Sequence, residues 1–293
     1  MNRARTGMFA AAIATALLGS GCAPADEAGG AEPTQTNDVG TQECSPETLE
    51  TQTPGTLTIA TDQPVFEPWF LDDDPSNGSG FEGAVAYAVA ERLGYTEDQV
   101  TWVRVPFNAA IAPGPKDFDF DINEFSITEE RRAAVDFSTG YYDVTQAVIA
   151  LEGNPASGAA GLADLKDVRI GAQVGTTSFT AVESVIAPTT ESAVFNTNDD
   201  AKQALSNGQV DAIVVDLPTA FYITAAELDN ALIVGQLPPA EGTTVEQFGL
   251  VLDKGSPLTA CVSTAVDGLR ADGTLGELAQ EWLSQTAGAP VLE

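Results

Sequence analysis

The chain has no histidine. The commonest general base and metal ligand is therefore missing, and no Ser-His-Asp or Cys-His catalytic arrangement can be built within it. Basic residues are also scarce, 12 against 43 acids, for a formal net charge of −31. That balance repels nucleic acid and acidic lipid surfaces and suits a well-hydrated protein. Beyond residue 22 no apolar run is long enough to cross a bilayer, and no internal repeat stands out. What is present is ample for folding: 293 residues with 43% hydrophobic content make one large domain or two of ordinary size.

Residues 1–21 read as an export signal. Arg3 and Arg5 supply the positive start, and Met8 to Leu18 is an apolar run too short to span a membrane. Leu17-Leu18-Gly19-Ser20-Gly21-Cys22 follows and resembles the lipobox of bacterial lipoproteins, with Gly19 where that family more often has Leu. The resemblance implies lipidation at Cys22. Residues 22–53 are then a flexible acidic tether, with seven acids and no base between 23 and 53. An anchor plus a tether places the folded part just above the outer face of the cell membrane. Setting Cys22 aside leaves Cys44 and Cys261, which in an oxidising compartment pair as a disulfide; two buried thiols are the alternative.

The folded part is expected from Pro54. Its most informative stretch runs from Asp119 to Tyr142. Phe118, Phe120 and Ile122 alternate with Asp117, Asp119 and Asp121, the pattern of a short strand. A turn through Asn123-Glu124-Phe125-Ser126 leads to a short helix with Thr128 as N-cap and Glu129 and Glu130 in its first turn. Arg131 and Arg132 come next, in a chain with only 8 arginines. A guanidinium beside a hydroxyl-bearing loop can hold a small carboxylate; a surface Arg paired with Glu129 or Asp136 is the plainer reading.

Two further sites stand out. VRIGAQV reads as a strand, and Gly175-Thr176-Thr177-Ser178 opens a helix, so free backbone amides at a helix start offer an anion seat. An ordinary N-cap is the alternative. VDAIVVD reads as a buried strand ending on Asp216, a carboxylate suited to a ligand ammonium or to capping the segment after Pro218. Elsewhere strands and helices alternate: TLTIAT, a helix over 83–93, TWVRVPF, a strand after Tyr142, helices over 199–207, 219–228, 258–269 and 275–282. The acidic turn from Asp72 is not an EF-hand loop, because Asn77 and Gly83 stand where Gly and Glu are required. No metal or cofactor motif is found.

Read together, GFEGAVAYAVAERLG, DFDINEFSITEERRAAVDFSTGYYD, LADLKDVRIGAQVGTTS, ALSNGQVDAIVVD and FGLVLDKGSPL resemble, in order and spacing, the family 3 periplasmic solute-binding proteins, polar amino acid receptors of ABC importers. The resemblance covers most of 55–285. It implies an α/β fold of the two-lobed type II periplasmic-binding-protein class, with two hinge strands and a cleft between the lobes. Lobe 1 is expected over 54–143 and 248–286, and lobe 2 over 146–242. It implies that Arg131 clamps the ligand carboxylate and that Ser126, Asn123 and Glu124 line the cleft. Thr177, with Ser178 beside it, donates to the carboxylate from the other lobe, and Asp216 accepts from the ammonium. Phe66 and Phe107 form apolar walls, and Asp62 and Gln173 reach toward the ligand side chain.

The implied function is capture of a polar amino acid and its delivery to an ABC permease, by a monomer with no catalytic residue. Glu124 departs from the family, where small hydroxyl residues or glycine are common, and with Asp62 it favours a basic side chain. A sensory binding module and a cyclohexadienyl dehydratase-like enzyme share the same fold, and Glu124 is the evident acid for the latter.

Overall fold

The computed structural model describes residues 44–239, 245–283 and 289–293. The signal segment and Cys22 lie outside the described residues. The first part of lobe 1 contains β1 (Leu57–Thr61), α1 (Phe81–Arg92), β2 (Val100–Arg104), α2 (Phe107–Ala110), β3 (Phe120–Asp121), α3 (Glu129–Arg132) and β4 (Asp136–Val144). Lobe 2 follows with β5 (Gln146–Leu151), β6 (Ile170–Gln173), α4 (Thr177–Ala181), β7 (Ala193–Phe195), α5 (Asn198–Ser206), β8 (Ala212–Asp216), α6 (Leu217–Tyr222) and β9 (Ala231–Gln236). β10 (Glu246–Leu252) returns to lobe 1, which α7 (Thr259–Ala271) and α8 (Thr274–Leu283) complete.

Each lobe is built on one five-stranded sheet, in the orders β2-β1-β3-β10-β4 and β7-β6-β8-β5-β9. β1 runs parallel to β2 and β3, whereas β10 is antiparallel to β3 and β4. A chain that leaves a lobe and returns must enter its sheet from the other direction, and β10 does so. A single residue, Thr145, separates β4 from β5, and Glu246 at the start of β10 pairs with Val144. The two sheets are thus joined by two adjacent extended crossings. Helices on both faces of each sheet give the architecture expected from the βα alternation.

α1, α7 and α8 cover one face of the lobe 1 sheet over Phe81, Val85, Val89, Val262, Val266 and Leu283. The other face is closed by Phe107, Phe118, Phe125 and Phe137. The expected half-buried strand at 117–122 is shorter, and both its faces are buried, because β3 lies between β1 and β10. Asp119 accepts the backbone N–H groups of Gln52 and Thr58, both at 2.7 Å, which fixes the start of β1. Asp121 is fully buried, and neither carboxylate oxygen has a hydrogen-bond partner.

The expected flexible tether does not extend to residue 53. Cys44 is bonded to Cys261 on α7, and Leu49 packs into the lobe 1 core. Apolar burial and the Asp119 bond to Gln52 hold residues whose composition reads as solvated.

At the far end, Gln236 N–H donates to the Pro290 carbonyl at 2.7 Å and Leu292 N–H returns to Gln236 at 2.9 Å. Leu292 is buried in lobe 2, so residues 289–293 belong to lobe 2, beyond the expected boundary at 286. The helix opened by residues 175–178 and the one expected over 219–228 each begin as an α-helix, α4 and α6, and run on as a π-helical turn, over Val182–Ile186 and Ile223–Glu227.

Candidate functional site

The cleft lies where strand ends and loops of the two lobes meet. Asp62, at the end of β1, accepts the backbone N–H of Phe107 at 3.2 Å and of Gln63 at 2.6 Å. Phe107 stacks on Phe125 with centroids 4.8 Å apart, and the Arg131 guanidinium carbon lies 5.4 Å from the Phe107 ring centroid. Thr128 caps α3 by accepting the N–H of Arg131. The Arg131 side chain is buried; Nη1 donates to the Ser126 carbonyl at 2.7 Å and Nη2 to the Gly175 carbonyl of lobe 2 at 2.8 Å. Arg132, not Arg131, is the residue that faces Glu129, at 3.8 Å.

On the lobe 2 side, Thr176 rather than Thr177 caps α4, accepting the N–H of Phe179. The Thr177 hydroxyl is turned instead toward lobe 1, 3.1 Å from Ser126 Oγ, and donates to Glu246 at 2.5 Å. Gly175 has φ +76°, and a Cβ there would stand 2.5 Å from Asn108 Oδ1. A side chain there would require the Asn108 side chain to turn away, and the positive φ favours glycine. Asp216 occupies the N-cap position of α6 but makes no capping bond; its carboxylate accepts the Gln146 amide at 2.7 Å instead.

Ten of the eleven expected residues line this one cleft: Asp62, Phe66, Phe107, Asn123, Glu124, Arg131, Gln173, Thr177, Ser178 and Asp216. Ser126, the eleventh, is not among the lining residues, although its Oγ lies 3.1 Å from Thr177 Oγ1. A bridge to Phe248 pins Ser126 against β10, and its hydroxyl donates to Glu246. Ser178 faces both ways, lining the cleft while donating to Gln146 Oε1 at 2.6 Å. Glu124 turns neither outward nor onto Arg131: it accepts the Thr219 hydroxyl of lobe 2 at 2.9 Å. Its φ of +51° shows why glycine suits this position.

Several contributors were not legible. Glu82, three residues before Val85 on the same face of α1, is fully buried; it accepts the N–H of Glu124 at 2.7 Å and the Tyr141 hydroxyl. An acid on an otherwise apolar helix face was the available signal. Trp69 donates from Nε1 to Thr219 at 2.8 Å across the lobes, inside a cage of Phe81, Tyr142 and Phe248. Gln146 and Glu246 carried no signal, because their roles come from meeting at the crossings.

The cleft is electrostatically lopsided. Burial, then the charge of Glu246, pushes the Asp216 carboxyl up to about 7. Burial also pushes Glu82 up to about 7, against the bonds from Tyr141 and the Glu124 N–H. Glu124 is raised well above its ordinary range by burial and by Asp216 and Glu82. Burial raises Asp62 as well. Burial lowers Arg131, with Glu246 and Asp216 opposing. Asp62, Glu124 and Asp216 thus line the cleft with one guanidinium. Among the described residues no cluster suited to a metal ion is found, and no helix is long and apolar enough to cross a membrane.

The family model for bacterial extracellular solute-binding proteins, family 3, matches residues 57–285. The chain is 29% identical over 240 residues to the L-arginine-binding protein of Pseudomonas aeruginosa, covering 78% of this chain and 90% of the relative. It is 27% identical over 217 residues to an ABC transporter glutamine-binding protein of Bacillus subtilis, covering 72% and 76%. Among solved structures, an ancestral arginine-binding protein bound to glutamine superposes with a TM-score of 0.64 at 31% identity, covering 78% of this chain and 98% of that one. An ancestral amino acid-binding protein, a precursor of cyclohexadienyl dehydratase, superposes with a TM-score of 0.63 at 29% identity, covering 78% and 95%. With this match over most of its length and the two-sheet fold around one cleft, the chain belongs to the bacterial extracellular solute-binding proteins, family 3.

Proposed function

We propose that this protein captures a basic amino acid in the cleft and delivers it to an ABC permease, working as a monomer held at the outer face of the cell membrane through lipidated Cys22. The observation that carries the reading is the charge of the cleft. Asp62, Glu124 and Asp216 line it with Arg131 as the one cationic partner. An α-amino acid brings one carboxylate for Arg131 and one ammonium for Asp216. A neutral side chain leaves Glu124 and Asp62, whose carboxyls burial holds above their ordinary range, with no ligand cation to offset the cost of ionising them. A side-chain cation of arginine, lysine or ornithine offsets that cost. The similarity to the L-arginine-binding protein of Pseudomonas aeruginosa supports the same class.

Asn123, Gln173 and Thr177 complete the polar lining of the reading, and Phe66, Phe107 and Ser178 shape its walls. Binding across both lobes couples capture to closure. The test is calorimetric titration of the refolded protein from residue 43 with the twenty amino acids, ornithine and citrulline. Tight binding of arginine, lysine or ornithine is expected. Glutamine binding far tighter than arginine would overturn the basic preference, and silence across the panel would overturn the amino acid reading. No turnover of arogenate or prephenate is expected; product formation there would make Glu124 an acid of the alternative enzyme.

A further inference from the structure

Glu246 is the first residue of β10, where the chain returns from lobe 2 to lobe 1. Its Oε1 accepts the hydroxyl of Ser126 from lobe 1 and that of Thr177 from lobe 2, the latter at 2.5 Å. The Gln146 amide, from the outgoing crossing, lies 3.3 Å from both Glu246 oxygens. One carboxylate therefore joins both lobes and both crossings. Hydroxyl bonds to a carboxylate are among the stronger neutral-to-charged kind. Ser126 and Thr177 cannot separate without breaking at least one of them. Glu124 and Thr219 also link the lobes, but they do so in the cleft, where a ligand competes for the same groups. Glu246 itself does not line the cleft, although Thr177, one of its two hydroxyl partners, does.

We infer that Glu246 is a positioning residue that holds the lobes in their closed arrangement and sets ligand affinity through the closure equilibrium rather than by touching ligand. The inference rests on the cleft being the binding site, but closure is measured without ligand. Apparent affinity scales with the fraction of protein in the binding-competent form. Removing the latch lowers that fraction for every ligand. Glu246 also holds Thr177 and Gln146, which face the α-carboxylate and α-ammonium end, so ligands that share that end and differ only in side chain must lose affinity by the same factor. Gln146 ties the latch to the site, since its amide also donates to Asp216.

The experiment compares the full chain with Glu246→Ala and Glu246→Gln by small-angle scattering, free and with saturating ligand, and by calorimetry with arginine, ornithine and glutamine. In Glu246→Ala the ligand-free radius of gyration rises, ligand restores the wild-type value, and all binding weakens by about tenfold, an ordinary coupling for such a switch. Glu246→Gln keeps an acceptor for both hydroxyls and recovers most of the affinity. A purely structural role would lower thermal stability without opening the ligand-free form. Unchanged ligand-free dimensions, or a loss confined to one side-chain class, overturns the inference. If Glu246→Ala does not fold, Ser126→Ala removes only the lobe 1 arm and must give the same opening and uniform loss. If no amino acid binds any version, the binding reading fails while the scattering still decides the latch.

Discussion

Arg131 and Arg132 are chain neighbours with opposite environments. Arg132 lies at the surface near Glu129, while Arg131 is buried, with its guanidinium between the carbonyls of Ser126 and Gly175. Loss of one member of a desolvated charge pair costs about 2–5 kcal/mol. Arg131→Ala should therefore weaken amino acid binding by about a hundredfold or more, with Arg132→Ala near wild type, both read by calorimetry on folded protein. Asp216→Asn should weaken amino acids strongly but spare ligands lacking an α-ammonium. Asp121 tests a buried group outside the site. Burial, then Glu82 and Asp62, holds its carboxyl well above the usual range. Because the folded value is raised, the stability this group contributes is present in acid and is lost as pH rises through that value. Asp121→Asn should match the wild type in acid and exceed it by about 1–3 kcal/mol near neutral pH. Urea unfolding at two pH values checks this.

At the scale of elements, the βα order and the helix starts were readable because they depend on local periodicity and capping. Thr128 caps α3 as its position predicts, and α5, α7 and α8 fall within a few residues of expectation. The tail after α8 was not readable. Residues 289–293 carry no strand pattern, yet backbone pairing with β9 and the burial of Leu292 make them an edge of lobe 2. Gly235 permits that packing, since a Cβ would meet Leu292 Cγ at 2.7 Å. Deleting 289–293 should destabilise the protein by about 2–3 kcal/mol, roughly the burial of one leucine side chain, measured by chemical denaturation. Leu292→Ala alone should give most of the loss.

At the scale of the whole molecule, the buried acids in and beneath the cleft act together. Glu82 and Asp216 are both raised to about 7, and Glu124 and Asp121 move the same way. The folded state therefore holds more protons than the unfolded one between about pH 4 and 7, and its stability falls as pH rises across that window. Ligand-free protein should melt higher at about pH 5.5 than at about pH 8. A basic ligand should narrow the difference by supplying the missing positive charge. Asp136 and Asp211, lowered by Lys254 and Arg169, work in the opposite sense below that window. The Cys44–Cys261 bond spans a sequence separation of 217. Chain-entropy reasoning gives such a loop up to about 5 kcal/mol. Reduction should lower the melting temperature by at least about 5 °C, with ligand affinity little changed because both cysteines lie away from the cleft.

Local chemistry and motif order determined much of this protein before any coordinate. The absence of histidine, the acidic balance, the strand and helix alternation and the SITEER and GTTS turns all act over a few residues, so they can be read along the chain. Each of Arg131, Thr177 and Asp216 reads locally as the end of a strand or part of a short helix, and the family resemblance in motif order is what implied that they share one cleft. Tertiary structure alone decided the rest. Ser126 faces the crossings because β10 pins it; Glu124 faces Thr219 because Glu82, 42 residues earlier, holds its N–H. Glu246 meets Ser126 and Thr177, at separations of 120 and 69 residues, only where the two crossings lie side by side. Partnerships over such distances are set by sheet order and lobe closure, and no periodicity in the chain encodes them.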